Sequence, residues 1–110
     1  MSEVMIMSIL FSFKQEKATT VRIDEQNETV TVNGKDCPLT HQEYCLLCQL
    51  AQNTERVVSR DELLMNAWGY ITPGLTRTVD VHVQRLRKKL GAACIETVYR
   101  MGYRLVAQPA

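Results

Sequence analysis

Residues Arg77–Leu90 read RTVDVHVQRLRKKL. Wound at about 100° per residue, this stretch gathers Val79, Val83, Leu86 and Leu90 into one narrow stripe, the pattern of a helix with a single buried side. The other side carries Arg77, Val81, Gln84, Arg85 and Lys88, with Thr78 on its flank. Long cationic and hydrogen-bonding side chains so arranged match what a helix laid against phosphates and base edges needs. Val81 is the informative exception, because it sits near the centre of the outward side, where a solvated helix would carry Lys or Glu. A branched methyl pair there can meet a thymine methyl. The plainer reading is a charged surface helix with one stray valine.

The charge distribution favours the first reading. The 110 residues carry a net charge of only +1, but residues 1–76 hold six Lys or Arg against ten acids, a net of −4. Residues 77–110 hold seven against two, a net of +5. A basic pole on a mildly acidic body is the electrostatic footprint of a polyanion binder. The length predicts one domain with a modest core. No stretch approaches the roughly 20 apolar residues of a membrane span. The most apolar run, MIMSILFSF over Met5–Phe13, contains two serines and lacks the basic start of a signal peptide. It reads as a buried or pairing strand in a cytoplasmic protein, with Met5, Met7, Ile9 and Phe11 on its core side.

Working outward from the basic helix, the first forty residues read as short strands. After Met5–Phe13 comes a polar connection, Lys14–Thr19. Thr20–Ile23 and Thr29–Val32 follow, closed by the hairpin dipeptide Asn33-Gly34, and Asp36–Leu39 makes a last short strand. The period then changes. Thr40 and Glu43 form a capping box, with Leu39 and Tyr44 as its staple, and open a helix running to about Gln52. That helix buries Tyr44, Leu47, Cys48, Leu50 and Ala51. The same device recurs with Ser59 and Glu62, flanked by Val58 and Leu63, for a helix that buries Leu63, Leu64, Ala67 and Trp68 and meets Gly69. Gly69–Thr76, containing Pro73-Gly74, is a loop. Thr76 is placed to cap the third helix and Gly91 to end it in a left-handed conformation. Ile95–Tyr99 and Tyr103–Val106 are β-prone runs joined by Arg100-Met101-Gly102. Sheet, three helices and hairpin, in that order, predict an α+β winged helix-turn-helix with the hairpin as wing.

The elements LTxxE (Leu39–Glu43), VSRDELL (Val58–Leu64), Trp68-Gly69, RTVDVHVQRLRKKL and TV…GYRL (Thr97–Leu105) closely resemble the effector domain of the OmpR/PhoB family of bacterial transcription regulators. The resemblance covers about Thr20–Val106. It divides the chain into an N-terminal extension, 1–17, and a winged-helix DNA-binding domain, 18–107. It implies that the third helix reads the major groove of double-stranded DNA and that the wing, 95–106, reaches the minor groove. Base and phosphate contacts are implied at Arg77, Thr78, Val81, Gln84, Arg85 and Lys88, and backbone contacts at Trp68, Thr97 and Tyr103. His82 and Lys89 flank that side within reach of phosphate. The family also implies RNA polymerase as a partner for the loop 69–76, and homodimers on DNA. At the wing tip, Tyr99-Arg100-Met101-Gly102 stands where many relatives read Arg-Gly-x-Gly, so Arg100 substitutes for the minor-groove arginine or Tyr99 stacks on sugar. A chain of this length has no room for the receiver domain of a response regulator, and Met5–Phe13 stands in its place. That strand is also a candidate for pairing between chains.

Other chemistries find little support. No His/Asp/Ser or paired-carboxylate constellation points to an enzyme. With His41 and His82 the only histidines, and no Cys/His pair at zinc spacing, no metal or cofactor is expected. Cys45-x-x-Cys48 falls one turn apart within a helix, not at a strand-to-helix junction, so packing outweighs redox chemistry. Cys37 and Cys94 complete no disulfide framework. The competing class is a winged helix turned to protein binding, as an antagonist or polymerase adaptor.

Overall fold

The computed structural model describes residues 8–14, 18–54, 56–69, 75–106 and 108–109. In chain order the elements are β1 (Ser8–Lys14), β2 (Ala18–Asp24), β3 (Thr29–Val32), β4 (Lys35–Asp36), α1 (His41–Gln52), α2 (Arg60–Trp68), α3 (Thr76–Leu90), a short 3-10 turn (Ala92–Cys94), β5 (Ile95–Val98), β6 (Gly102–Leu105) and β7 (Gln108–Pro109). β1 to β4 form an antiparallel meander, and β7 returns to the far side of β1, giving the order β4-β3-β2-β1-β7. β5 and β6 make a separate hairpin. This is the predicted α+β winged helix.

β1 pairs along its whole length with β2, from Ser8 opposite Asp24 to Lys14 opposite Ala18. On its other edge Phe11 and Ser12 face Pro109 and Gln108. The strand expected over Met5–Phe13 is thus built into the chain's own sheet. Met5–Met7, and the inward side assigned to Met5, Met7, Ile9 and Phe11, lie outside the described residues and side chains. The β3–β4 hairpin has the predicted tight turn, with Asn33 at φ 52° and Gly34 at φ 84°, the left-handed pair that a two-residue hairpin demands. The Asn33 side-chain oxygen also accepts the Thr20 amide at 2.8 Å and so ties the turn to β2. β4 stops at Asp36 instead of reaching Leu39. Pro38 has no N–H to continue the ladder.

One face of the sheet presents Val21, Ile23 and Val30 to the helices. Leu46, Leu47 and Leu50 of α1, Leu63 and Leu64 of α2, and Val79, Val83 and Leu86 of α3 are all fully buried. Leu46, beside the residues predicted for α1, joins the core as well. The wing closes it from the other end with Ile95, Tyr103 and Leu105. Val58 bridges the helical and hairpin halves, because its amide and carbonyl pair with those of Tyr103 at 2.8 and 3.0 Å.

The helix ends follow their signals in part. Thr40 and Glu43 form the complete capping box of α1, each side chain accepting the other's amide. At α2, Ser59 accepts the Glu62 amide, but the Glu62 carboxylate turns to Arg56 at 2.6 Å instead of closing the box. Gly69 ends α2 in the left-handed conformation. Thr76 is not the cap of α3. The chain is already helical at Leu75, so Thr76 lies in the first turn and the Leu75 carbonyl accepts from Thr78 at 3.0 Å. Gly91 ends α3 with φ 123° and ψ 138°, outside the expected left-handed well. It must extend the chain into the 3-10 turn that follows, a conformation for which glycine is suited.

Glu43 is 1% exposed, yet charged contacts surround it. Its carboxylate takes the Lys89 ammonium at 2.6 Å and the Thr40 amide at 2.9 Å, and Lys89 also donates to the Pro38 carbonyl at 3.2 Å. Lys89, its side chain still about a third exposed, is therefore tied to Glu43 and Pro38. Burial pushes the Glu43 carboxyl up, but the Lys89 and Thr40 contacts outweigh it and leave the pKa below the ordinary 4.5. A folded-state pKa below the unfolded one means that this contribution is complete above pH 4.5 and fades as pH falls through the folded value. Glu43→Gln should cost about 1–2 kcal/mol at neutral pH, since Lys89 remains partly hydrated. Urea denaturation at pH 7 and at pH 3.5 should show the gap between parent and variant narrowing in acid. A gap of constant size would refute the linkage.

Candidate nucleic-acid interface

The third helix divides as its pattern predicts. Val79, Val83, Leu86 and Leu90 are buried, while Arg77, Val81, Gln84, Arg85 and Lys88 are exposed and Thr78 is half-buried. Val81 stays 42% exposed at the centre of this side. Among the described residues, no carboxylate lies within 4 Å of the Arg77, Arg85 or Lys88 head groups. Three hydrated cations, an amide and a branched apolar side chain are thus presented together on a helix whose other side is locked in the core.

Other cations of the basic third hold the framework. Arg87 donates to the Ile95 carbonyl at 2.8 and 3.1 Å and to the Thr97 hydroxyl at 2.9 Å, which fixes β5 against α3. Arg104 pairs with Glu96 across the hairpin. Asp80, the lone acid of α3, accepts the Arg60 Nε–H at 2.8 Å and the Tyr103 hydroxyl at 2.6 Å. Tyr103 is 3% exposed and lies between the Arg60 and Arg87 guanidinium groups, 5.8 and 5.7 Å from its ring centre. Burial first, and then the Asp80 hydrogen bond, push its hydroxyl above the ordinary value, so it stays a proton donor. Tyr103 is thus nearly buried with its hydroxyl donated to Asp80, and in the free chain it positions the wing. In sequence Asp80 looks like one more surface charge, and only its isolation among bases distinguishes it.

Trp68 and His82 form a pair. Trp68 is half-buried against the core, and its ring meets that of His82 edge to face at 4.9 Å. The His82 Nδ1–H donates to the Thr78 carbonyl at 2.8 Å, which orients the imidazole along α3. Thr97 is exposed on β5, its hydroxyl accepting from Arg87.

At the wing, the turn comprises Tyr99, Arg100 and Met101, one residue earlier than predicted, and Gly102 opens β6. Tyr99 is 79% and Met101 61% exposed. Arg100 has φ 62°, and its guanidinium stacks 5.2 Å from the Tyr99 ring centre. Gly102 has φ 145°, and a Cβ there would meet the Val58 carbonyl oxygen at 2.1 Å. Between the tip and the first turns of α2 and α3 lies a cleft of about 260 Å³, bounded by Ser59, Arg60, Asp61, Thr76 and Arg100–Gly102. Met65 on α2 and Leu75 at the start of α3 are further exposed apolar residues. The polymerase contact expected of the loop 69–76 falls largely on residues outside the described ones.

The four cysteines are free thiols. Burial pushes Cys45 up and Cys48 up to about 11, so neither favours the reactive thiolate. Among the described residues no cluster of three or more His, Cys, Asp or Glu could hold a metal, and no helix is long and apolar enough to cross a membrane.

Comparison with known proteins gives a consistent answer. The family model described as "Transcriptional regulatory protein, C terminal" matches residues 34–105. The transcriptional regulatory protein VxrB of Vibrio cholerae is 45% identical over 89 residues, covering 81% of this chain and 36% of that protein. The chain thus spans little more than a third of that curated relative. The DNA-binding domain of Klebsiella pneumoniae RstA, solved in complex with the RstA box, superposes with a TM-score of 0.72 at 34% identity, covering 78% of this chain and 90% of that one. The DNA-binding domain of CpxR from E. coli gives a TM-score of 0.73 at 26% identity, covering 90% and 98%.

The packing at Gly102 sets a sharp test of how the wing is held. Gly102→Ala combines an unfavourable backbone angle with overlap against the Val58–Ser59 backbone, and should cost on the order of 3 kcal/mol. Thermal denaturation of the variant checks this, and an unchanged melting temperature would show that the wing root tolerates displacement.

Proposed function

The chain belongs to the family of transcriptional regulatory protein C-terminal domains, and from that premise we propose that it binds double-stranded DNA sequence-specifically and so regulates transcription. The supporting observation is the exposed side of α3. Arg77, Gln84, Arg85 and Lys88 stand there around Val81, with no carboxylate within 4 Å of the three cationic head groups among the described residues. A purely solvated helix gains nothing from an exposed valine at that centre, whereas a thymine methyl gives it an apolar contact.

In this reading α3 enters the major groove. Arg85, Gln84, Val81 and Thr78 read base edges, while Arg77 and Lys88 hold phosphates together with Trp68 and Thr97 at the margins. His82 acts through Trp68, whose indole it braces. The wing crosses to the adjacent minor groove with Tyr99 and Arg100. Exposed Met65 and Leu75 offer a protein partner such as RNA polymerase an apolar foothold. Two copies on tandem sites are the assembly that the family likeness supports.

Selection of bound fragments from random duplex DNA supplies the probe. On the selected site Arg85→Ala should lose about 1–3 kcal/mol and blur discrimination at one position. Lys88→Ala should weaken all sequences alike and lower the salt slope by about one. Mobility-shift titrations over a range of salt separate the two. Equal losses on selected and random DNA for both variants would refute the assigned roles, and no salt-dependent shift by the parent chain would favour the protein-binding alternative.

A further inference from the structure

We propose that the wing tip Tyr99-Arg100-Met101 is an apolar wedge for the minor groove, one that opens a base step and bends the duplex. The proposal rests on the DNA-binding reading above and adds a deformation to it.

Three features of the tip carry the inference. Tyr99 and Met101 are the most exposed large apolar side chains among the described residues, at 79% and 61%. They flank an arginine whose guanidinium stacks on the Tyr99 ring at 5.2 Å, so cation and ring project as one unit. Arg100 also holds φ 62°, a conformation that glycine adopts freely and a long side chain adopts under strain. A strained cation between two uncovered apolar groups is poor surface chemistry in water. It suits a narrow groove whose potential attracts arginine and whose base stack admits an apolar side chain.

A wedge works only if it does not fold back on meeting the stack. The root of this hairpin is clamped on both strands, β5 through the Arg87 bonds to the Ile95 carbonyl and the Thr97 hydroxyl, and β6 through its contacts with Val58 and Asp80. Gly102 lies against the Val58 carbonyl with no space for a Cβ, Tyr103 exchanges two backbone hydrogen bonds with Val58, and its hydroxyl is held by Asp80. Placement agrees as well. The tip shares its cleft with Ser59 and Thr76, at the first turns of α2 and α3, so a DNA strand passing through the cleft carries the next groove to the tip. The cleft reaches the first turn of α3 at Thr76, next in the chain to Arg77, and this favours DNA over a protein as occupant. The steps that open most readily are pyrimidine–purine, such as TA and CA, and these are the predicted targets.

The test uses the full chain and a selected duplex carrying 2-aminopurine at successive steps, with a donor and acceptor dye at its ends. The parent should raise fluorescence at one step about half a helical turn from the α3 contact and shorten the end-to-end distance, as a bend of roughly 20–90° would. The double variant Tyr99→Ser/Met101→Ser keeps Arg100 and changes only exposed side chains. It should melt as the parent does and keep the α3 footprint. Binding should weaken about tenfold, with both the fluorescence and the bend lost. A double variant with parental fluorescence and bend would overturn the wedge, as would a parent that binds without either signal. Unchanged DNA signals with lost co-sedimentation of RNA polymerase would assign the tip to a protein partner and equally overturn it. No retardation of any duplex by the parent would instead bring down the DNA-binding reading itself.

Discussion

Asp80 Oδ1 accepts from Arg60 at the start of α2 and from Tyr103 in β6, and through those two bonds α3, α2 and the wing share one anchor. The Tyr103 bond is part-buried and so counts for more than the exposed Arg60 bond. Their geometric consequence matters most. A winged helix addresses two grooves at once only if helix and hairpin keep a fixed separation. The Asp80 bonds, the Val58–Tyr103 bridge and the Arg87 contacts with β5 set that separation without using any residue of the exposed side.

The basic residues of the C-terminal third sort by what they face. Arg87, Lys89 and Arg104 are committed to Thr97 and the Ile95 carbonyl, to Glu43, and to Glu96. Arg77, Arg85 and Lys88 are left toward solvent. The net of +5 over residues 77–110 therefore overstates the charge available to a polyanion, and it understates how well that charge is placed. Glu43 illustrates the coupling. The residue that caps α1 also holds the end of α3 through Lys89, so local helix chemistry and tertiary registration rest on one carboxylate.

Much of this was legible in the chain, because periodicity and capping are local. The stripe Val79, Val83, Leu86, Leu90 is buried as its spacing requires, the Asn33-Gly34 turn is left-handed as that dipeptide prefers, and Thr40 caps α1. Glu62 leaves its box for Arg56, six residues before it. Other partners are distant: Tyr103 gives its hydroxyl to Asp80, 23 residues away, and Lys89 finds Glu43 across 46 residues. No local pattern announces such partners. The errors at Leu75 and Gly91 differ in kind, because helix ends depend on where the chain must go next.

The sequence by itself determined the first strands, the three helices and the wing hairpin in their order, though not β7 or the 3-10 turn, together with the buried stripe of the third helix and the outward set Arg77, Val81, Gln84, Arg85 and Lys88, since each depends on residues within a few turns of one another. Only the tertiary structure decided which cations stay available, that Tyr103 braces the wing through Asp80, and that Tyr99 and Met101 stand uncovered at a clamped tip. The reason is that a side chain's availability depends on the groups brought beside it. Those groups come from elements far apart in the chain.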